Sequence, residues 1–318
     1  MRPRLVFVHG IGGPRDPVAE LDIWLRALAE GARAAGHSRR VLDLVMGWAA
    51  DARFAHYGHL FDLAQAQGGV LDGDDPESDF VGQLLLEAVD ERLTEATADD
   101  EGQVLRHARA QLTQTGAAQG PGAVARRLLS VSNTLLSLPG LRTFGGWASA
   151  GVMVGQLRQV ARYLRRGEAD HEGATLDVRI RRCVEQALDP VGPTIVVAHS
   201  LGTVVSLETL HTHEGNVPLL VTLGSPIGLR TAVGARMRPQ PLQVPGAVAR
   251  WMNYWDRNDL ITGGPRLERV VRPNDRSVIP VSRPVRSDGL WVHPAVKYLA
   301  QPAVAGPVVE AVETAALS

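Results

Sequence analysis

Ser200 lies in the stretch Pro193 to Thr203, PTIVVAHSLGT, whose residue types and spacing could support nucleophilic chemistry. Ile195, Val196 and Val197 form a continuous β-branched run, as a parallel strand buried on both faces requires. Val204, Val205, Leu207 and Leu210 then suit a helix. A strand that becomes a helix within a few residues crowds its corner, so the residues two before and two after the serine must be small. Here they are Ala198 and Gly202. The hydroxyl would stand at a helix N-terminus, where free N–H groups and the dipole favour a developing negative charge. The competing role for a serine there is an ordinary helix N-cap.

A hydroxyl is a weak nucleophile near neutrality. Ser200 is chemically useful only beside a histidine that takes its proton and a carboxylate that holds that histidine. His211, His213 and His293 follow it in the chain, with Asp256, Asp259 and Asp288 as acids. A glycine cluster, Gly10, Gly12 and Gly13, follows the early apolar run LVFVH and would let backbone approach a ligand closely. Pro14 and Arg15 come next, so the G-x-G-x-x-G spacing of a dinucleotide-phosphate cradle is absent.

AHSLG resembles the nucleophile elbow of the α/β-hydrolase superfamily, with Ala198 in place of the first glycine of G-x-S-x-G. His9-Gly10-Ile11-Gly12 is similar to the HG-x-G turn of its lipase-like branch. The resemblance implies that the backbone N–H groups of Ile11 and Leu201 form the oxyanion hole. It also implies the chain order serine, acid, histidine. His211 and His213 sit on or just past the elbow helix, which carries them away from Ser200, and His293 is left as the base. The family's acid follows the penultimate strand, often before an apolar pair. Asp259-Leu260-Ile261 fits better than Asp256, which would brace the loop, and Asp288 would shape the histidine loop. His199 is expected to pack or hydrogen-bond behind the site. The implied protein is a serine hydrolase with the triad Ser200, His293 and Asp259, cleaving carboxylic esters with a hydrophobic acyl or alcohol part, as lipases and carboxylesterases do, without metal or organic cofactor. An amidase, peptidase, thioesterase or acyltransferase would use the same triad, and a non-catalytic lipid-binding or regulatory module could share the scaffold.

These residues need an α/β fold to position them. Arg4 to His9, Val41 to Trp48, the elbow strand, Val217 to Leu223, Arg250 to Trp255 and Val278 to Val281 read as strands of a mostly parallel sheet. Because the chain opens on the HG strand, a sheet without the antiparallel strands that usually begin the family's is expected. The core is expected over 1–50 and 171–318, with the resemblance itself covering 1–50 and 171–301. Residues 51–170 are read as an inserted helical lid, with helices opening at Asp75-Pro76 and over Gln103 to Gln114, Ala123 to Leu138 and Trp147 to Arg166. In the first of these, Phe80, Leu84 and Ala88 face inward. Asp16-Pro17 opens an earlier helix whose apolar face is Val18, Leu21, Leu25, Leu28 and Ala32.

The insertion's apolar segment, including Leu135, Leu136, Leu138, Leu141, Phe144, Trp147, Val152, Met153 and Val154, suits either an acyl-pocket wall that could touch a lipid surface or a plain helical core. Its longest apolar run is broken by Pro139 and Arg142. His56, His59 and Asp62 have a spacing that could hold a metal or simply form a polar helix face. A formal net charge of −1 over 318 residues offers no electrostatic footprint for nucleic acid, and the partner that the family resemblance implies is a small-molecule or lipid ester. Cys183 is the only cysteine and reads as a packing residue. Met1 leads almost directly into the first strand with no room for a leader, so a cytoplasmic location is expected.

Overall fold

The computed structural model describes residues 2–12, 16–39, 43, 46–61, 76–95, 99–114, 122–138, 149–263, 266–286 and 293–317. Among them is one sheet of six strands: β1 (Arg4–Val8), β2 (Asp51–Ala55), β3 (Thr194–His199), β4 (Leu219–Leu223), β5 (Trp251–Asp256) and β6 (Pro280–Val285), in the order β2-β1-β3-β4-β5-β6. Every neighbouring pair is parallel. The expected α/β class with a mostly parallel sheet is therefore what the chain adopts.

Side chains of the central strands alternate between two apolar layers, as the period of two requires. Leu5 and Phe7 of β1 and Ile195 and Val197 of β3 meet Trp24 and Leu28 of helix α1 (Pro17–Ala34) and Val304 and Val308 of helix α9 (Pro302–Leu317). Val6, Val8, Val196 and Ala198 face the other way. They join Ile180 of helix α6 (Leu176–Ala187) and Val204 and Val205 of helix α7 (Leu201–Leu210). The strand order reverses between β1 and β3, so the helices that follow these two strands cover opposite faces. A crevice opens where they part, at the carboxyl ends of β1 and β3.

Asp16 caps α1 by accepting from the Val18 N–H at 3.0 Å, with Pro17 in the first turn, as the sequence signals. Leu25, Leu28 and Ala32 are buried, but Val18 points to solvent. The second strand corrects the sequence expectation. It is Asp51–Ala55, inside the stretch read as helical, and none of the described residues of 41–48 is strand. β2 is an edge strand paired only with β1 and keeps polar residues on its open side, so it does not need the apolar run that 41–48 offers.

Helices α2 (Pro76–Glu95), α3 (Asp99–Thr113), α4 (Ala123–Leu136) and α5 (Ala150–Arg165) lie close to the expected spans. Phe80, Leu84 and Ala88 are buried as anticipated. So are Leu135, Leu136, Leu138, Met153 and Val154, in one continuous apolar cluster with the sheet residues Val6 and Val196, while Val152 faces solvent. Leu141, Phe144 and Trp147 lie outside the described residues. No helix among the described residues is long and apolar enough to cross a membrane.

Candidate functional site

The link between β3 and α7 is a single residue, Ser200, at φ 52° and ψ −127°. A positive φ is costly for a residue with a Cβ and persists only when the surroundings enforce it. They do so here. The Ser200 N–H donates to the Leu223 carbonyl of β4 at 3.0 Å, and Val196 and Val197 are clamped in register between β1 and β4. Ser200 makes no side-chain capping bond to its helix, so it is not the ordinary N-cap that competed with the nucleophile role. As the first helical residue, Leu201 presents an N–H with no intrahelical acceptor.

Two glycines make the corner possible. A Cβ on Gly202 would lie 2.3 Å from the His9 carbonyl oxygen, because α7 crosses directly over the end of β1. A Cβ on Gly10 would lie 2.6 Å from the Ser200 Cβ and 3.2 Å from its Oγ, so the turn after β1 is pressed against the serine. Ala198 is wholly buried in the apolar cluster and its methyl is accommodated there, so the departure from glycine at this position needs no compensation.

At the carboxyl ends of β5 and β6, His293 Nδ1–H donates to both carboxylate oxygens of Asp259, at 3.0 and 2.9 Å. Both residues are buried. The His293 Nδ1–H is thereby committed to Asp259, which fixes the ring tautomer. The Asp259 carboxylate also accepts from the Ile261 N–H at 3.2 Å and from the Tyr298 hydroxyl at 2.8 Å. Burial, with the charge and hydrogen bond of Asp259, pushes the Tyr298 phenol well above the ordinary tyrosine value, so it stays a donor. Tyr298 was not singled out by sequence reasoning, and only its place on helix α8 (Ala295–Leu299), just after His293, hinted at it. Gly224 matters too. At φ 55° it leaves the room that the Asp259 carboxylate occupies, since a Cβ there would sit 2.9 Å from Oδ2.

Asp256 holds the same loop from below. Its carboxylate accepts from the Asn258 N–H at 2.9 Å, its carbonyl accepts from the Asp259 N–H at 3.0 Å, and its own N–H donates to Tyr298. His199 Nε2–H donates to the His293 carbonyl at 2.6 Å and its ring lies 4.8 Å from that of His293. It thus anchors the His293 backbone, in the supporting place anticipated for it.

A cavity of about 240 Å³ opens at this edge, lined by His9, Gly10, Ile11, His199 and His293, with Ile23 and Trp24 of α1 and Gln156 of α5 as walls. The turn pressed against Ser200 and the imidazole paired with Asp259 thus border one space, and the helical layer supplies part of its wall. His211 is the C-cap of α7, at the far end of that helix from Ser200. Ser225 is a turn residue: its Oγ accepts from the Ile227 N–H at 3.3 Å and meets Thr203 Oγ1 at 2.8 Å. Cys183 is half-buried against the apolar cluster, and burial pushes its thiol up. His56 and His59 stack at 5.4 Å, whereas Asp62, Asp288 and most of the segment before His293 lie outside the described residues. Among the described residues no three His, Cys, Asp or Glu side chains converge to hold a metal.

No protein-family model matches this chain, and the comparisons with curated proteins and with solved structures likewise gave no match.

Proposed function

We propose that this chain is an α/β-hydrolase-type serine hydrolase that cleaves carboxylic esters with a hydrophobic acyl or alcohol part. The observation that carries the proposal is the backbone of Ser200, held at positive φ between a buried strand and a helix with its side chain unused as a cap. Strain of this kind costs about 1–3 kcal/mol and concentrates at functional corners. A serine needed only for capping would have no cause to bear it.

In this mechanism Ser200 Oγ attacks the ester carbonyl carbon as His293 Nε2 takes the hydroxyl proton. Asp259 fixes the ring tautomer and stabilises the imidazolium, and the Ile11 and Leu201 N–H groups hold the tetrahedral oxyanion. Collapse expels the alcohol, which leaves with the proton from His293. Water, deprotonated by the same nitrogen, then cleaves the acyl-enzyme and restores Ser200. Ile11, Ile23 and Trp24 give the cavity an apolar wall suited to a compact acyl or alcohol group.

A fluorophosphonate probe and a panel of p-nitrophenyl esters, thioesters and peptides test this. The folded wild type should be labelled and should turn over the esters fastest. Ser200→Ala should abolish labelling and lower kcat by on the order of 10³-fold to 10⁶-fold. A folded wild type that is neither labelled nor active would refute catalysis, and a preference for thioesters or peptides would refute the ester assignment.

A further inference from the structure

The turn Gly10-Ile11-Gly12 is braced from two sides by groups that the mechanism above does not use. Gln159, buried on α5, reaches it with a bidentate amide contact: its Oε1 accepts from the Gly12 N–H at 2.8 Å and its Nε2 donates to the Gly12 carbonyl at 3.2 Å. The Gly12 N–H requires an acceptor and the carbonyl a donor, so only one orientation of the amide serves both. Gly12 has φ 138°, a conformation that side chains rarely adopt, so this peptide has no local preference that would hold it. From the other side, His9 Nδ1–H donates to the Gly10 carbonyl at 2.8 Å. Its tautomer is fixed because His9 Nε2 accepts from the Tyr57 N–H at 3.1 Å. Tyr57 also donates its hydroxyl to the His9 carbonyl and stacks on the imidazole at 4.1 Å.

In a trans peptide the N–H of one residue and the C=O of the residue before it point in opposite directions. Holding the Gly10 carbonyl therefore aims the Ile11 N–H. Holding the Gly12 N–H fixes the next plane, which carries the Ile11 carbonyl. Ile11 is thus clamped between two locked peptides, the inner one held by β1 and the start of the segment after β2, the outer one by a helix about 150 residues further along the chain.

We propose that Gln159 is a positioning residue for the oxyanion hole: by locking the Ile11–Gly12 peptide from within the helical layer it keeps the adjoining Gly10–Ile11 peptide, whose N–H the His9 contact aims, from turning. The inference rests on the serine-hydrolase reading. It makes α5 a structural participant in transition-state stabilisation as well as a wall of the cavity. An N–H aimed in advance at the developing oxyanion accelerates the reaction, whereas one free to turn must reorganise each time. Loss of the clamp should therefore act on the transition state and leave ground-state binding nearly untouched.

The test replaces Gln159 by Met, of similar length but without the amide, with active sites counted by phosphonate titration. Relative to wild type, kcat per titrated site should fall by roughly 10-fold to 100-fold with KM within about threefold. The affinity of a boronic acid, whose tetrahedral adduct mimics the intermediate, should weaken by the same factor as kcat. A purely structural role would instead lower the Tm and the titrated fraction while each remaining site kept its kcat and boronate affinity. That result, from an active wild type, overturns this inference alone. An unlabelled and inactive wild type overturns the hydrolase reading on which it rests. Should the Met variant fail to fold, hydrogen exchange in the wild type decides. The Gly12 amide should be protected at least about 100-fold relative to an open loop, and exchange at the open-loop rate refutes the clamp.

Discussion

Asp259→Asn is the most discriminating change in the proposed triad. The native carboxylate meets three donors: the His293 imidazole, the Tyr298 hydroxyl and the Ile261 N–H. An amide offers one oxygen where the carboxylate offered two, so at least one of these donors must face an NH₂ group. If that donor is His293, the ring must accept at Nδ1 and carry its proton on Nε2, where it cannot receive the proton of Ser200. If the ring does become protonated, the compensating charge 2.9 Å away has gone. At an effective dielectric of about 20, an ion pair at that distance is worth on the order of 5–6 kcal/mol, or about four decades of rate. Steady-state ester hydrolysis with phosphonate-titrated enzyme should show kcat reduced by about 10⁴-fold. Asp256→Asn, which alters the loop brace without touching the imidazole's acceptor, should lose far less. The reasoning fails if Asp259→Asn keeps more than about a tenth of the wild-type kcat, or if Asp256→Asn is the worse of the two.

Ser200→Gly should abolish activity while stabilising the fold. Glycine populates φ 52° without penalty, so about 1 kcal/mol or more is relieved and thermal denaturation should shift upward by a few degrees, whereas a downward shift would deny the strain. Tyr163 and Tyr298 both have phenols raised well above the ordinary value, each chiefly by burial and then by a neighbouring carboxylate, Glu208 and Asp259 respectively. Their folded forms keep protons that the unfolded chain loses near pH 10, so stability should fall as pH rises through that range. Urea unfolding between about pH 8 and 11 should show this slope, and it should flatten in Tyr163→Phe and Tyr298→Phe; an unchanged slope in both variants would refute the assignment.

The elements around the candidate site were legible because local sequence dictates them. The strand-to-helix corner shows in Ile195 to Val197, Ser200 and Gly202, whereas the pairing of Asp259 with His293 was expected only from the family resemblance, which puts the acid after the penultimate strand and the histidine last. β2 was misplaced because an edge strand with an exposed face has little compositional signature, while Val41 to Trp48 imitates a buried one. Helix α9 went unread, although Val304, Val308 and Val312 recur every four residues and Pro302 marks its first turn. Gln159 and Tyr298 could not have been found from local pattern. What distinguishes each is a partner far away in the chain, Gly12 for one and Asp259 for the other, and single-sequence periodicity carries no such information.

The seal between α1 and the region of α9 carries a consequence for biogenesis. Gly31 lies against the Leu299 carbonyl and the Ala305 methyl so tightly that a Cβ on it would come within 2.5 Å of that oxygen. During translation, the stripe formed by Leu5, Phe7, Trp24 and Leu28 leaves the ribosome long before Val304 and Val308, its partners in the finished layer, have been synthesised. The nascent chain must keep this greasy surface shielded while the intervening strands and helices emerge, so holding by a chaperone should matter more for this protein than for one whose amino-terminal half packs on itself.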